Sequence, residues 1–165
     1  MPQHARLSYL VRQAQLAIYQ RLDQALRSFG LTPAQYTVLA ILSRRGESLS
    51  SAALSRRLGV SPQSANEIVA SLSARHLVCR TEGAENRRVR RLELTPRGRN
   101  LLAQCDVEVD RLEEAFFGAL ASPEQETLRR LLIRLIAADR GAQAADSLRL
   151  SIEPAKRSGA RGGRA

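Results

Sequence analysis

Along most of this chain the apolar residues return every three or four positions, the spacing of a single buried stripe on an α-helix. Between Ala5 and Phe29 they fall at Leu7, Leu10, Val11, Ala14, Ile18, Leu22, Ala25, Leu26 and Phe29. This predicts one long amphipathic helix, halted at Gly30. The next segment opens Thr32-Pro33-Ala34-Gln35. Thr32 supplies a cap, Pro33 a first-turn residue that needs no N–H, and Gln35 a side chain able to reach back to the cap. That helix carries Val38, Leu39 and Leu42 inward and runs to Gly46.

Ser50 or Ser51 begins a shorter helix whose Leu54 and Leu58 share a face, and Gly59 supplies the permissive backbone for a tight turn. Ser61 and Pro62 open another helix, in which Ala65, Ile68, Val69 and Leu72 face inward at spacings of three and four. The period then changes. Leu77 to Thr81 reads as a strand, Glu82 to Asn86 as a turn around Gly83, and Val89 to Leu94 as the returning strand with Leu92 and Leu94 inward. Thr95 and Pro96 start a long helix lined by Leu101, Leu102, Cys105, Val109, Leu112, Phe116 and Leu120. Ser122 to Gln125 reads as a second capping box, opening a helix with Leu128, Leu131, Leu132, Leu135 and Ile136.

Two short helices joined at a glycine turn and followed by a hairpin make a winged helix-turn-helix, in which the second helix enters the major groove of DNA. The predicted fold is mainly α with a small β-wing: a winged helix-turn-helix head on a helical dimerisation platform. Residues 1–140 are expected to form a single domain, with the head at about 31–98 and dimerisation helices at 5–29 and 96–139. Residues 141–165 form a basic, mostly disordered tail. Three long amphipathic helices offer more apolar surface than so small a head covers, so a second copy of the chain is the expected partner.

The charge agrees with this reading. The formal net charge is +10, and twelve arginines against five glutamates lie between Ser43 and Asn100. Most of the excess therefore sits on the proposed reader, where it attracts polyanions. On the outer surface of the recognition helix stand Ser61, Gln63, Ser64, Asn66, Glu67 and Ser71, the candidate DNA contacts. Amides such as Gln63 and Asn66 suit adenine edges, and the helix N-terminus suits phosphate. Asn86, Arg87, Arg88 and Arg90 are the candidate contacts of the wing, since arginine at a hairpin tip fits the narrow minor groove.

Other classes of function find no support in the residues. No apolar run approaches the roughly 20 residues of a membrane span, and no secretory pattern opens the chain, so a cytoplasmic protein is expected. Metal-ligand spacing, a glycine-rich phosphate loop and a nucleophile with its base are all missing, so no catalytic residue, cofactor or metal is assigned and enzyme activity is not expected. Cys79, beside Arg80, is the candidate redox thiol, and Cys105 lies on an apolar helix face. The burial habit of free cysteine makes packing the expectation for both. A non-specific architectural nucleic-acid binder would use the same charge, but it has no need of a polar recognition-helix tip.

In three stretches the chain resembles the MarR family of transcription regulators: Leu31 to Leu42, Leu54 to Val78, and Arg87 to Leu102. The order and spacing of parts agree from about Leu7 to about Ile136. The resemblance implies a homodimer with two winged heads on a palindromic operator, its half-sites about 10 bp apart. It also implies repression released by a small ligand or by thiol oxidation. Tyr9, Arg12, Tyr19 and Tyr36 fall where the family places a ligand crevice, between platform and head. Three departures stand out. Asn86 replaces the aspartate that the family's wing carries two residues before an arginine, here Arg88, His76 replaces the glycine that closes the recognition helix, and Arg90 replaces an apolar strand residue.

Overall fold

Four helix starts carry the caps that the sequence spells out. In the computed structural model, which describes residues 5–43, 49–82 and 90–140, Thr32 accepts from the Gln35 backbone N–H while the Gln35 side chain accepts from the Thr32 N–H, a complete capping box. Ser50, Ser61 and Thr95 each accept a backbone N–H three residues on. Each such cap contributes about 1 kcal/mol to its helix. The helices they open are α2 (Pro33–Leu42), α3 (Ser51–Leu58), α4 (Pro62–Ala74) and α5 (Pro96–Phe117).

Ahead of them α1 (Leu7–Leu26) tightens into a 3₁₀ turn, Arg27–Phe29. Gly30 then stops it at φ 64°, where a left-handed residue is needed. The continuous helix predicted to Phe29 therefore changes pitch for its last three residues. Gly59 closes α3 in the same way at φ 67°. The hairpin consists of β1 (Val78–Glu82) and β2 (Arg90–Leu94), antiparallel, with Val78 opposite Leu94 and Glu82 opposite Arg90. Leu49 adds a third, single-residue bridge to Leu92, which the sequence did not announce.

The second predicted capping box takes another form. The helix α6 (Ser122–Arg140) starts at Ser122 itself, so Ala121 holds the cap position and the third helical residue is Glu124. Glu124 accepts from the Ala121 N–H at 2.8 Å, while the Gln125 amide donates to the Leu120 carbonyl. Only the reaching-back half of a box exists here, because alanine has no oxygen to complete it.

The chain forms two compact units, one ending at Ala119 and the other beginning at Leu120. The core of the first draws Leu26 from α1, Val38, Leu39 and Leu42 from α2, Leu54 from α3 and Val69 and Leu72 from α4. The strands add Leu77, Val78, Leu92 and Leu94, and α5 adds Leu102, Cys105 and Val109. Burying each leucine contributes roughly 2 kcal/mol, which holds the short helices of the head where propensity alone would not. In the second unit, Leu131, Leu132 and Leu135 of α6 stay exposed.

Candidate DNA-binding face

The recognition helix is held from behind and open in front. Ala65, Val69 and Leu72 of α4 are fully buried, which fixes its rotation. Gln63, Asn66, Glu67, Ala70 and Ala74 then form an exposed stripe at helical spacing. Gln63 Nε2 donates to Glu67 Oε1 at 3.1 Å, so these two side chains hold each other in place on the stripe. Asn66 stands beside this pair, exposed. Alanine at positions 70 and 74 keeps the surface low, so a groove wall can approach the backbone.

Three of the serines named from the sequence have local duties. Ser61 Oγ accepts from the Ser64 N–H at 3.1 Å and lies 2.9 Å from Ser64 Oγ. Both hydroxyls therefore belong to the cap, at the positive end of the helix dipole. Ser71 Oγ accepts from Gln35 Nε2 at 2.9 Å, linking α4 to the start of α2. The turn between α3 and α4 is closed by Ser55, buried, whose hydroxyl donates to the Val60 carbonyl at 2.8 Å.

Of the wing candidates, Arg90 begins β2 opposite Glu82, whereas Asn86, Arg87 and Arg88 lie outside the described residues. The base of the wing is firmly built. His76 closes α4 with φ 56°, the left-handed conformation implied by its standing in the place of the family's closing glycine. The Thr95 hydroxyl donates to the His76 carbonyl at 2.7 Å. Gly98 packs directly on this corner, and a Cβ there would lie 2.1 Å from the Leu77 carbonyl oxygen. No local pattern marks that glycine as obligatory. Its contact is made across 21 residues of chain.

The candidate ligand contacts divide into two groups. Tyr9, Arg12 and Tyr19 stand exposed on α1, whereas Tyr36 turns toward α5, where its hydroxyl donates to Asp106 Oδ1 at 2.9 Å. Burial pushes the Tyr36 phenol well above its usual range, and the neighbouring Asp106 carboxylate pushes it further. Burial also raises the Asp106 carboxyl, against the opposing pull of the Tyr36 hydrogen bond. Sequence reasoning missed Asp106, since nothing local pairs it with a residue 70 positions away.

The two cysteines behave differently. Cys105 is buried, as expected, and burial pushes its thiol up to about 11. Cys79 is exposed on β1, contrary to the expectation of packing, with its sulfur 3.7 Å from the Glu93 carbonyl. Strand alternation explains the difference: Val78 takes the inward position, so Cys79 points out. Among the described residues no group of three or more His, Cys, Asp and Glu side chains could hold a metal, and no helix is long and apolar enough to cross a membrane.

Known proteins share this arrangement. The sequence profile of the MarR family matches residues 29–89. The HTH-type transcriptional repressor Rv2887 of Mycobacterium tuberculosis is 30% identical over 131 residues, which cover 79% of this chain and 94% of that protein. A crystal structure of Rv2887 with salicylic acid superposes with a TM-score of 0.66 at 29% identity, covering 82% of this chain and 99% of the other. The transcriptional repressor CouR bound to a 23-mer DNA duplex superposes with a TM-score of 0.73 at 26% identity, covering 79% and 92%. The polar stripe of α4, the hairpin behind it and these likenesses lead to one conclusion: the chain belongs to the MarR family of DNA-binding transcription regulators.

Proposed function

We propose that this protein is a homodimeric repressor that binds a palindromic operator and is released by a small effector or by oxidation of Cys79. The observation that carries the reading is the exposed stripe Gln63, Asn66, Glu67 and Ala70, whose amides and low relief suit base edges in the major groove. Ser61 and Ser64 at the helix start and Ser71 further along would support phosphate or base contacts from the same surface. Asn86, Arg87, Arg88 and Arg90 would reach the adjacent minor groove. The DNA duplex held by CouR favours the same use of the head.

Dimerisation is supported by the exposed apolar residues of the long helices. Leu7, Leu10, Val11 and Leu16 of α1 and Leu131, Leu132 and Leu135 of α6 are each at least 40% exposed, a costly display for a chain that stays single. Binding of a small acid has a precedent in the complex of Rv2887 with salicylic acid. Tyr9, Arg12, Tyr19 and Tyr36 are the contacts we assign to an effector. No turnover of substrate belongs to this reading.

Competition between duplexes selected from the genome of the source and random duplex of equal length tests the proposal. A repressor prefers the selected duplex by about 10³-fold or more at physiological salt, with two protomers per inverted repeat. An architectural binder takes both duplexes alike.

A further inference from the structure

The C-terminal end of the recognition helix is tied to the end of α1 by one guanidinium. Arg75, the residue just after α4, donates from Nη1 to the Gly30 carbonyl at 2.6 Å and from Nη2 to the Phe29 carbonyl at 3.0 Å. These are the open carbonyls at the end of the α1 and 3₁₀ unit, where the helix dipole is negative and a cation is favoured. A planar fork matches two adjacent carbonyls in a way that a point charge does not. Gly30, left-handed at φ 64°, lies directly against the fork: a Cβ at that position would be in van der Waals contact with Arg75 Nη2, at 3.6 Å.

Two more side-chain hydrogen bonds leave the same short stretch of chain. Gln35 Nε2 reaches Ser71 Oγ on α4, and Tyr36 Oη reaches Asp106 on α5. Residues 29–36 thus hold the recognition helix at two points one turn apart and the long helix α5 at a third. Burial of Val69 and Leu72 fixes which face of α4 turns inward, but apolar contacts are not directional and define its tilt less sharply. Hydrogen bonds are directional, and a pair one turn apart resists tilt.

We propose that Arg75 is a positioning residue for DNA reading: its fork on the Phe29 and Gly30 carbonyls, with Gln35 on Ser71, sets the tilt of α4 relative to α1. The proposal rests on the reading of α4 as the base-contacting helix. It assigns Arg75 no contact with DNA, although the residue belongs to the basic set that would otherwise be credited with phosphate binding. Movement of α1 in a dimer would then reach the base contacts through residues 29–36.

The test uses the full-length protein with Arg75→Met, Arg75→Lys and Gln35→Ala. Affinities for the selected duplex and for random duplex are measured across a salt series. Arg75→Met is expected to lower the preference for the selected duplex about tenfold, within the usual range of coupling between sites, while random-duplex affinity and the salt slope hold. Arg75→Lys is expected to stay closer to the Met variant than to the parent, since an ammonium cannot span both carbonyls, and Gln35→Ala to show the same signature more weakly. A parallel loss on both duplexes, with the salt slope shallower by about one charge, would mark a phosphate contact and overturn the proposal. An unchanged preference with only a lower unfolding midpoint would overturn it equally.

Amide exchange in the DNA-free protein separates this claim from the functional reading. Arg75→Met should quicken exchange at Leu31 and through the last turn of α4 under conditions where global unfolding does not contribute. Unchanged exchange there would refute the tie whatever the DNA measurements give. A wild type with no preferred duplex would refute the repressor and the positioning role together.

Discussion

His76 adopts φ 56° with an ordinary side chain attached, a conformation that costs an L-residue roughly 1 kcal/mol or more relative to glycine. Its side chain is exposed, and the bond it receives from Thr95 goes to its backbone carbonyl, which glycine retains. His76→Gly should therefore raise the urea midpoint, by the equivalent of about 1 kcal/mol; a lower midpoint would show that the imidazole itself stabilises this corner. Gly98 presents the opposite case, since the missing Cβ is what lets α5 approach the Leu77 carbonyl. Gly98→Ala must push the start of α5 away from backbone rather than from a flexible side chain, so a loss of about 2 kcal/mol or more is expected on thermal or urea unfolding. A neutral outcome would mean that α5 shifts freely at its first turn. His76 was legible through the family resemblance, because it stands where the family carries a closing glycine. Gly98 and Arg75 were not, because both act on backbone atoms far away in sequence.

At the scale of elements, the helices and their caps could be read ahead because each depends on a few neighbouring residues. Thr32, Ser61 and Thr95 cap where their spacing to the apolar stripe places them, and of the two serines offered for α3 it is Ser50 that caps. The box at Ser122 failed for a reason equally local: one extra residue of helix moved the register, and Glu124 took the part assigned to Gln125. Junctions between elements were illegible. The contact of α2 with α5 through Tyr36 and Asp106 joins a phenol and a carboxyl that burial makes reluctant to ionise. Asp110 pushes the Asp106 carboxyl the same way. A carboxyl raised in the folded state binds more protons there than when unfolded. Its contribution thus favours folding below the usual carboxylate range and is lost as pH rises through the folded value. Asp106→Asn keeps an acceptor for Tyr36 and removes the charge. The variant should gain stability at neutral pH and lose part of the decline just above the usual carboxylate range. Equal pH profiles for variant and parent would place the buried charge elsewhere.

For the whole molecule, the division of labour is between a head whose core is closed and long helices that leave part of their apolar residues exposed. Leu10 on α1 is 48% exposed in the single chain. If α1 lies in the dimer interface, Leu10→Glu places charges against each other or against apolar surface. Sedimentation should then give monomers, and specific binding should fall far more than the binding of random duplex, because only a dimer spans both half-sites. A dimeric Leu10→Glu protein would remove α1 from the interface. The excess of arginine from Ser43 to Asn100 adds attraction without sequence choice, so charge and specificity separate in experiment as they do in the chain.

The most direct test of the central claim, that the exposed face of α4 reads bases, is a position-resolved affinity profile of Asn66→Ala on the selected operator. The account predicts relaxed preference at one base pair in each half-site, worth about 1 to 3 kcal/mol there, with the salt slope unchanged. A uniform loss across every position, or no change at any, would contradict it.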